Sequence, residues 1–424
     1  MKEFNIDLHF HSPYAGGVSK NMSIPVLAEQ AQLKGLDCIS TADITQPDWL
    51  KHLKESLKEE SNGTYTHPGF NTKFIVGTEI ESANRIHHLV YLPDLTRVEE
   101  FREKLKPWGK LDYYGAGRPK LKVPPETLAE IVTDLGGLIG PAHAFTPYFG
   151  IYAHFKSIKE AYGNFGDKIK FMELGLSADS YFADLIQENH NYNFFSFSDA
   201  HSPWPHRLGR EFVRASMKET TFKELEKTLN FEGDRKITLN VGLDPKEGKY
   251  HETACNGCYA HYTIKEAEAL KWKCPSCNGQ IKKGVKDLIL ELADFKEEVH
   301  PAFRPDYMHI IPLSEIIQLT LQKRTPEDKA VHAVWNQFVE KFGNEINALV
   351  DAPIVELIEL HETIGQRIES FRKGLVIYTA GGGGDYGRPF ICSDEKEFEE
   401  KKAELESIGK LSASQKKQKT LMDY

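Results

Sequence analysis

Two short clusters of histidine and carboxylate residues, far apart in the chain, are best suited to chemistry. One is Asp7-Leu8-His9-Phe10-His11-Ser12 and the other is Ser198-Asp199-Ala200-His201-Ser202. On an extended segment, side chains two positions apart project to the same side, so His9 and His11 can share one metal ion. Asp199 and His201 repeat that spacing. Carboxylate oxygen combined with imidazole nitrogen suits zinc or manganese, and such ions generate a hydroxide nucleophile near neutral pH. Taken alone, His9 and His11 could be two surface histidines on a strand. Taken with the second cluster, they imply a multinuclear metallo-phosphoesterase site.

The elements between the clusters must bring them together. A helix is predicted to start at Ser23, with Pro25 in its first turn, and to stop at Gly35. A second is predicted over residues 125–137. Strands are predicted at 37–40, 74–76, 138–140, 171–172 and 194–197. Nearly every such run ends in a candidate ligand: His9 and His11, Asp43, Glu79, His143, Glu173, then Asp199 with His201. Alternating helix and strand implies a mainly parallel sheet or barrel. In a closed βα barrel the carboxyl ends of the strands converge on one face, where such folds keep their chemistry. Glu79 is expected to bridge two cations, and Glu173 to act behind the ligands or as a structural ion pair. In Arg85-Ile86-His87-His88-Leu89-Val90 the two histidines face opposite ways, and His88 is taken as the ligand. Arg85 could clamp a phosphate bidentately, a solvated surface arginine being the plain alternative. Asp199, Glu79 and Arg85 are the expected catalytic residues.

The chain has 424 residues, 40% hydrophobic and 27% charged, which is ordinary for a globular protein with roughly three domains. Boundaries are expected at 1–240, 241–286 and 287–424. No apolar run reaches about 18 residues, so no membrane span is expected. The N-terminus has no signal-peptide core, and a cytoplasmic location follows as an expectation. Cys255-x2-Cys258-x15-Cys274-x2-Cys277 reads as a zinc ribbon holding one structural zinc, with closed thiolate coordination that leaves no open position for catalysis. Cys38 and Cys392 read as buried thiols. Net charge is −9, which argues against a generally basic surface. Lys271, Lys273, Lys282, Lys283 and Lys286 nonetheless cluster around the second cysteine pair; such a ribbon commonly touches nucleic acid or protein, and the first four are the residues that would contact nucleic-acid phosphates. From Pro312 to about Lys373 the pattern is helical and predicts a third lobe of helices. The run from Gly381 to Gly387 lacks the ending of a phosphate-binding loop and reads as a flexible loop. The tail after Leu411 is polar and basic.

The order His-x-His, Thr-x-Asp, strand-end Glu, His before Leu, Ala-His and Ser-Asp-x-His resembles the PHP (polymerase and histidinol phosphatase) superfamily. Thr41-Ala42-Asp43-Ile44-Thr45-Gln46-Pro47, Met172-Glu173-Leu174-Gly175-Leu176-Ser177-Ala178-Asp179, the four-cysteine insert and Arg304-Pro305-Asp306-Tyr307-Met308-His309 are similar to the endonuclease Q family within it. The resemblance implies an α/β fold: a distorted (β/α)7 PHP barrel followed by a zinc ribbon and a C-terminal helical domain. It implies two or three divalent ions (zinc, manganese or magnesium) in the barrel. His9, His11, Glu79 and Asp199 match the ligands of one, and Glu79, His88 and His143 those of another. Asp43 and His201 match a third. The implied reaction is hydrolysis of double-stranded DNA on the 5′ side of uracil, hypoxanthine, xanthine or an abasic site. Flipping a poorly paired base costs less than flipping a normal one. A sliding-clamp partner is not readable from the sequence. The rivals are a small-molecule phosphomonoesterase, which leaves the ribbon idle, and a non-catalytic DNA-binding protein, which leaves the ligand set idle.

Overall fold

The computed structural model describes residues 1–61, 63–113 and 118–407. The basic tail after Leu411 lies outside the described residues. Helix Ile24–Lys34 follows Ser23, carries Pro25 in its first turn and ends at Gly35. Gly35 has φ +99°, and its N–H donates to the Ala31 and Gln32 carbonyls at 3.0 and 3.2 Å. That left-handed cap suits glycine for a second reason: a Cβ there would lie 2.6 Å from Asn344 Oδ1 of the helical lobe. Helix Pro125–Asp134 and strand Leu138–Pro141 also fall where the pattern predicts them.

An eight-stranded sheet runs in the order Asp306–His309, Lys236–Gly242, Phe212–Met217, Lys2–Asp7, Cys38–Ser40, Lys73–Ile75, Thr64–Thr66, Lys58–Ser61. The N-terminal strand pairs in parallel with Cys38–Ser40, which pairs in parallel with Lys73–Ile75. Gly77–Glu81, His87–Tyr91 and Leu138–Pro141 form an antiparallel sheet, so the sheets are more mixed than the sequence predicts. Phe171–Glu173 pairs in parallel with Asn193–Phe195. Backbone hydrogen bonds then join these pieces edge to edge: Ala144 N–H to Glu173 O (2.8 Å), Leu174 N–H to Phe195 O (2.9 Å) and His11 N–H to Ala200 O (3.0 Å). The last bond returns the series to the N-terminal strand, which is consistent with the expected barrel.

Two buried apolar groups follow from this layering. An inner one includes Ile6, Leu8, Leu89, Tyr91, Ala142, Phe171 and Phe195. An outer one holds Ile39, Ile86, Val90 and Ile139 against helix residues such as Leu27, Ala31, Leu128 and Val132. The strands are therefore apolar on both faces, as in parallel sheets covered by helices.

The ribbon is a short antiparallel pair, Ala254–Cys255 with Ile281–Lys282, beside helix Ile264–Ala269, which opens with a capping box of Thr263 and Glu266. Helices Leu313–Thr320, Lys329–Phe342, Ile354–Leu360 and Glu362–Arg372 build the helical lobe. Lys34 of the first helix joins it through a buried ion pair, Nζ to Glu345 Oε1 at 2.7 Å, whose other oxygen accepts from Trp335 Nε1 at 2.6 Å. Strand Asp306–His309, which lies within the region 287–424 expected to form the third domain, adds to the edge of the main sheet. The glycine run corrects a second expectation, because it is packed rather than free. Gly381 O accepts from Glu252 N–H at 2.9 Å, and a Cβ on Gly387 would lie 2.0 Å from Lys246 O. Glycine is needed there for close backbone approach. Among the described residues, no helix is long and apolar enough to cross a membrane.

Candidate metal centre

His9, His11, Asp43, His143, Glu173 and Asp199 lie at or just beyond the ends of strands, Glu79 lies inside strand Gly77–Glu81, and all seven meet in one cluster that is buried except at Asp199. Turns at the strand ends aim several of them: Asp43, His143 and Asp199 have φ of +32°, +28° and +46°. Non-glycine residues in this region are uncommon and gather at functional sites. Gly175, at φ +76°, makes room for one of them, since a Cβ there would lie 2.7 Å from His143 Cβ.

Two groups of ligand atoms result, each with members within 4.8 Å of one another: His9, His11 and Asp199, and Glu79, His87 and His143. Glu79 joins them. Its Oε1 is 2.9 Å from His87 Nδ1 and 3.0 Å from His143 Nε2, while its Oε2 is 3.4 Å from His11 Nε2. Asp199 Oδ1 is 3.1 Å from His11 Nε2 and 3.6 Å from His9 Nε2. Behind them, Glu173 holds His9 Nδ1 at 2.8 Å and the His143 N–H at 2.7 Å. Asp43 accepts from the Ser12 N–H and hydroxyl at 2.7 and 2.6 Å and faces His11 Nδ1 at 3.5 Å. A carboxylate behind an imidazole fixes its tautomer and raises its basicity toward a metal.

The electrostatics match. Burial alone would raise the Glu79 and Asp199 carboxyls, but Arg118 and His87 for the first, and His9 and His201 for the second, hold both well below the usual range. Burial alone would depress His9, yet Glu173, Asp199 and Glu79 raise it to about 10. His9 Nε2 and His143 Nδ1 are buried without a hydrogen-bond partner, while Glu79 Oε2 is ion-paired with Arg118. Buried acids facing buried imidazoles with such orphaned atoms suit divalent cations.

Several sequence expectations are corrected. His88 does not face the cluster: its ring is bonded to Ser82 Oγ at 2.7 Å and Tyr162 OH at 2.6 Å, and burial holds it down to about 3. The adjacent His87 is the one that faces Glu79 and His143. Asp43 and His201, expected at a third ion, are not members of either ligand group: Asp43 Oδ2 accepts from Ser12 while its Oδ1 faces His11 Nδ1, and His201 Nδ1 donates to the Asp199 carbonyl at 2.9 Å. Arg85 points outward, 59% exposed, with its guanidinium 4.6 Å over Phe149. Arg118, which sequence reasoning missed, is the arginine that enters the cluster, with Nε 2.5 Å from Glu79 Oε2. It lies in an irregular segment, so no periodicity marks it.

The cysteines form a compact quartet, with Sγ–Sγ distances of 3.4 Å (Cys255–Cys277) and 3.5 Å (Cys258–Cys274). Tyr259 and Asn278, the residues following each pair, both have φ +60°, and Gly257 and Gly279 donate to Cys255 and Cys277 sulfurs. This geometry suits one tetrahedral zinc. Cys38 and Cys392 are buried, as expected. Of the ribbon lysines, Lys271 and Lys273 are exposed, Lys282 reaches toward Tyr148, and Lys283 pairs with Glu291.

Residues 312–375 match the family model described as the MJ0043 C-terminal domain. The chain is 45% identical over 251 residues to the uncharacterized protein MJ0043 of Methanocaldococcus jannaschii, covering 58% of this chain but only 31% of that protein. It is 46% identical to the lesion-specific endonuclease PfuEndoQ from Pyrococcus furiosus, covering 97% of this chain and 100% of that one with a TM-score of 0.85. It is 47% identical to endonuclease Q solved in complex with a 27-mer duplex substrate carrying an abasic lesion at the active site, covering 94% and 98% of the two chains with a TM-score of 0.87. With identity of this order along nearly the whole of both chains, the protein belongs to the endonuclease Q family.

Proposed function

We infer that this protein is a metal-dependent repair endonuclease that hydrolyses a phosphodiester of duplex DNA at a damaged nucleotide. The observation that carries the reading is Glu79, one carboxylate facing both ligand groups. His9, His11 and Asp199 would hold one divalent ion, and Glu79, His87 and His143 another, with Glu79 shared. Such ions, when bound, supply a hydroxide near neutral pH and stabilise charge on the leaving oxygen. The residues do the rest. Glu173 and Asp43 orient the His9 and His11 rings, which keeps the ligand nitrogens aimed inward. Asp199 is 32% exposed while Glu79 is buried, so it is the acid that meets solvent and the attacking water. Held ionised, it can accept a hydrogen bond or proton from that water. Arg118 is the cation available to a phosphate entering beside Glu79, the role expected of Arg85.

The ribbon would hold one structural zinc and the exposed Lys271 and Lys273 would meet phosphates. Hydrolysis on the 5′ side of uracil, hypoxanthine or an abasic site, in the cytoplasm, is the finer form of this reading. The test is an end-labelled duplex carrying one uracil, one hypoxanthine or one abasic site, incubated with and without chelator. Nicking beside the lesion that chelator abolishes and added manganese or magnesium restores is the expected result. Nicking that survives chelation, or release of phosphate from monoesters alone, would overturn it.

A further inference from the structure

The loop that carries His143 also presents an aromatic that the metal centre does not use. Tyr148 is 40% exposed and has φ +73°, a conformation that bulky side chains rarely adopt. It is fixed from both sides: His154 Nε2 donates to the Tyr148 carbonyl at 2.9 Å, and His87 N–H donates to the Phe149 carbonyl at 3.0 Å. The Phe149 ring stacks on His87, with centroids 4.5 Å apart and planes 20° from parallel. Tyr148 therefore stands one residue from a ring in contact with a candidate ligand. Cations flank the two rings, Arg85 over Phe149 at 4.6 Å and the ribbon's Lys282 over Tyr148 at 4.6 Å.

An exposed ring with a lysine over it, beside a centre proposed to cleave phosphodiesters, has the chemistry of a base-stacking platform: every nucleobase has a π face and every strand is anionic. Strained residues of this kind persist where the surroundings fix them, and they gather at functional sites. Resting on the nuclease reading above, we propose that Tyr148 stacks on the base pair uncovered beside the extruded nucleotide. It thereby restores part of the stacking that extrusion removes.

Tyr148→Gly removes the ring and suits the left-handed backbone, so it is expected to fold without loss of Tm. Tyr148→Phe keeps the ring. Nicking is measured on a fully paired uracil duplex and on the same uracil in a bulge, where extrusion is already complete. Tyr148→Gly is expected to slow the paired duplex about tenfold or more and to leave the bulged one within about twofold, with Tyr148→Phe like wild type on both. Equal losses on the two duplexes would make Tyr148 a strut beneath Lys282, and no loss on either would remove it from recognition; each result overturns the proposal. Wild-type protein that nicks neither duplex is the separate failure of the nuclease reading, and this proposal falls with it.

Discussion

Glu79 turns one oxygen toward His87 and His143 and the other toward His11, so a single side chain fixes the spacing of two ligand groups. The neighbouring histidine pair shows how far residue-level reasoning reaches. Alternation separates His87 from His88, but both faces of that strand are apolar: Ile86 and Val90 pack outward against helices while Leu89 and Tyr91 pack inward. Hydrophobicity therefore could not say which histidine faces the centre, and the His88 ring is held by Ser82 on the preceding turn and by Tyr162 on a distant helix. The two histidines should separate by experiment. His87→Ala is expected to lower nicking about 100-fold and to cost divalent metal. His88→Ala is expected to keep its metal but lose about 1–3 kcal/mol of stability, because the buried Tyr162 hydroxyl loses its partner while Ser82 keeps the Ala83 carbonyl. Denaturant titration with metal analysis of both variants decides, and metal loss confined to His88→Ala would contradict the assignment.

At the scale of elements, the strand ends were legible because each apolar run stops at a polar residue, and in a layered α/β fold those ends meet. Helix Ile24–Lys34 was legible from Ser23, Pro25 and Gly35. Arg118 and the packed glycine run were not, since neither sits in a periodic element and both are fixed by contacts distant in sequence. The turn after strand Phe171–Glu173 makes the dependence measurable. Gly175 and Gly17 share nearly the same φ, +76° and +75°, but a Cβ on Gly17 meets nothing within 4 Å while one on Gly175 presses on His143. Gly17→Ala is expected to cost about 1 kcal/mol from backbone strain alone. Gly175→Ala is expected to cost more, about 2–3 kcal/mol, and to lower nicking by displacing His143. Equal effects of the two variants on Tm and rate would refute that role for Gly175.

Over the whole molecule, a net charge of −9 coexists with a ribbon that carries exposed lysines and reaches the rim of the centre through Lys282 and Tyr148. Helix Ile24–Lys34 and the helical lobe are tied by the buried Lys34–Glu345 pair, whose loss on one side would leave a charge uncompensated. The cysteine spacing announced the ribbon from sequence alone, but its seat against the His143 loop is a tertiary fact that no local pattern encodes. One carboxylate, Glu79, faces both ligand groups of a centre that stands apart from the cysteine quartet. The direct test is the divalent-metal content of the purified chain, wild type against Glu79→Gln. Wild type is expected to hold about two ions beyond one ribbon zinc, and Glu79→Gln to lose them while keeping that zinc. A single zinc in both proteins, or an unchanged higher content in Glu79→Gln, would contradict the account.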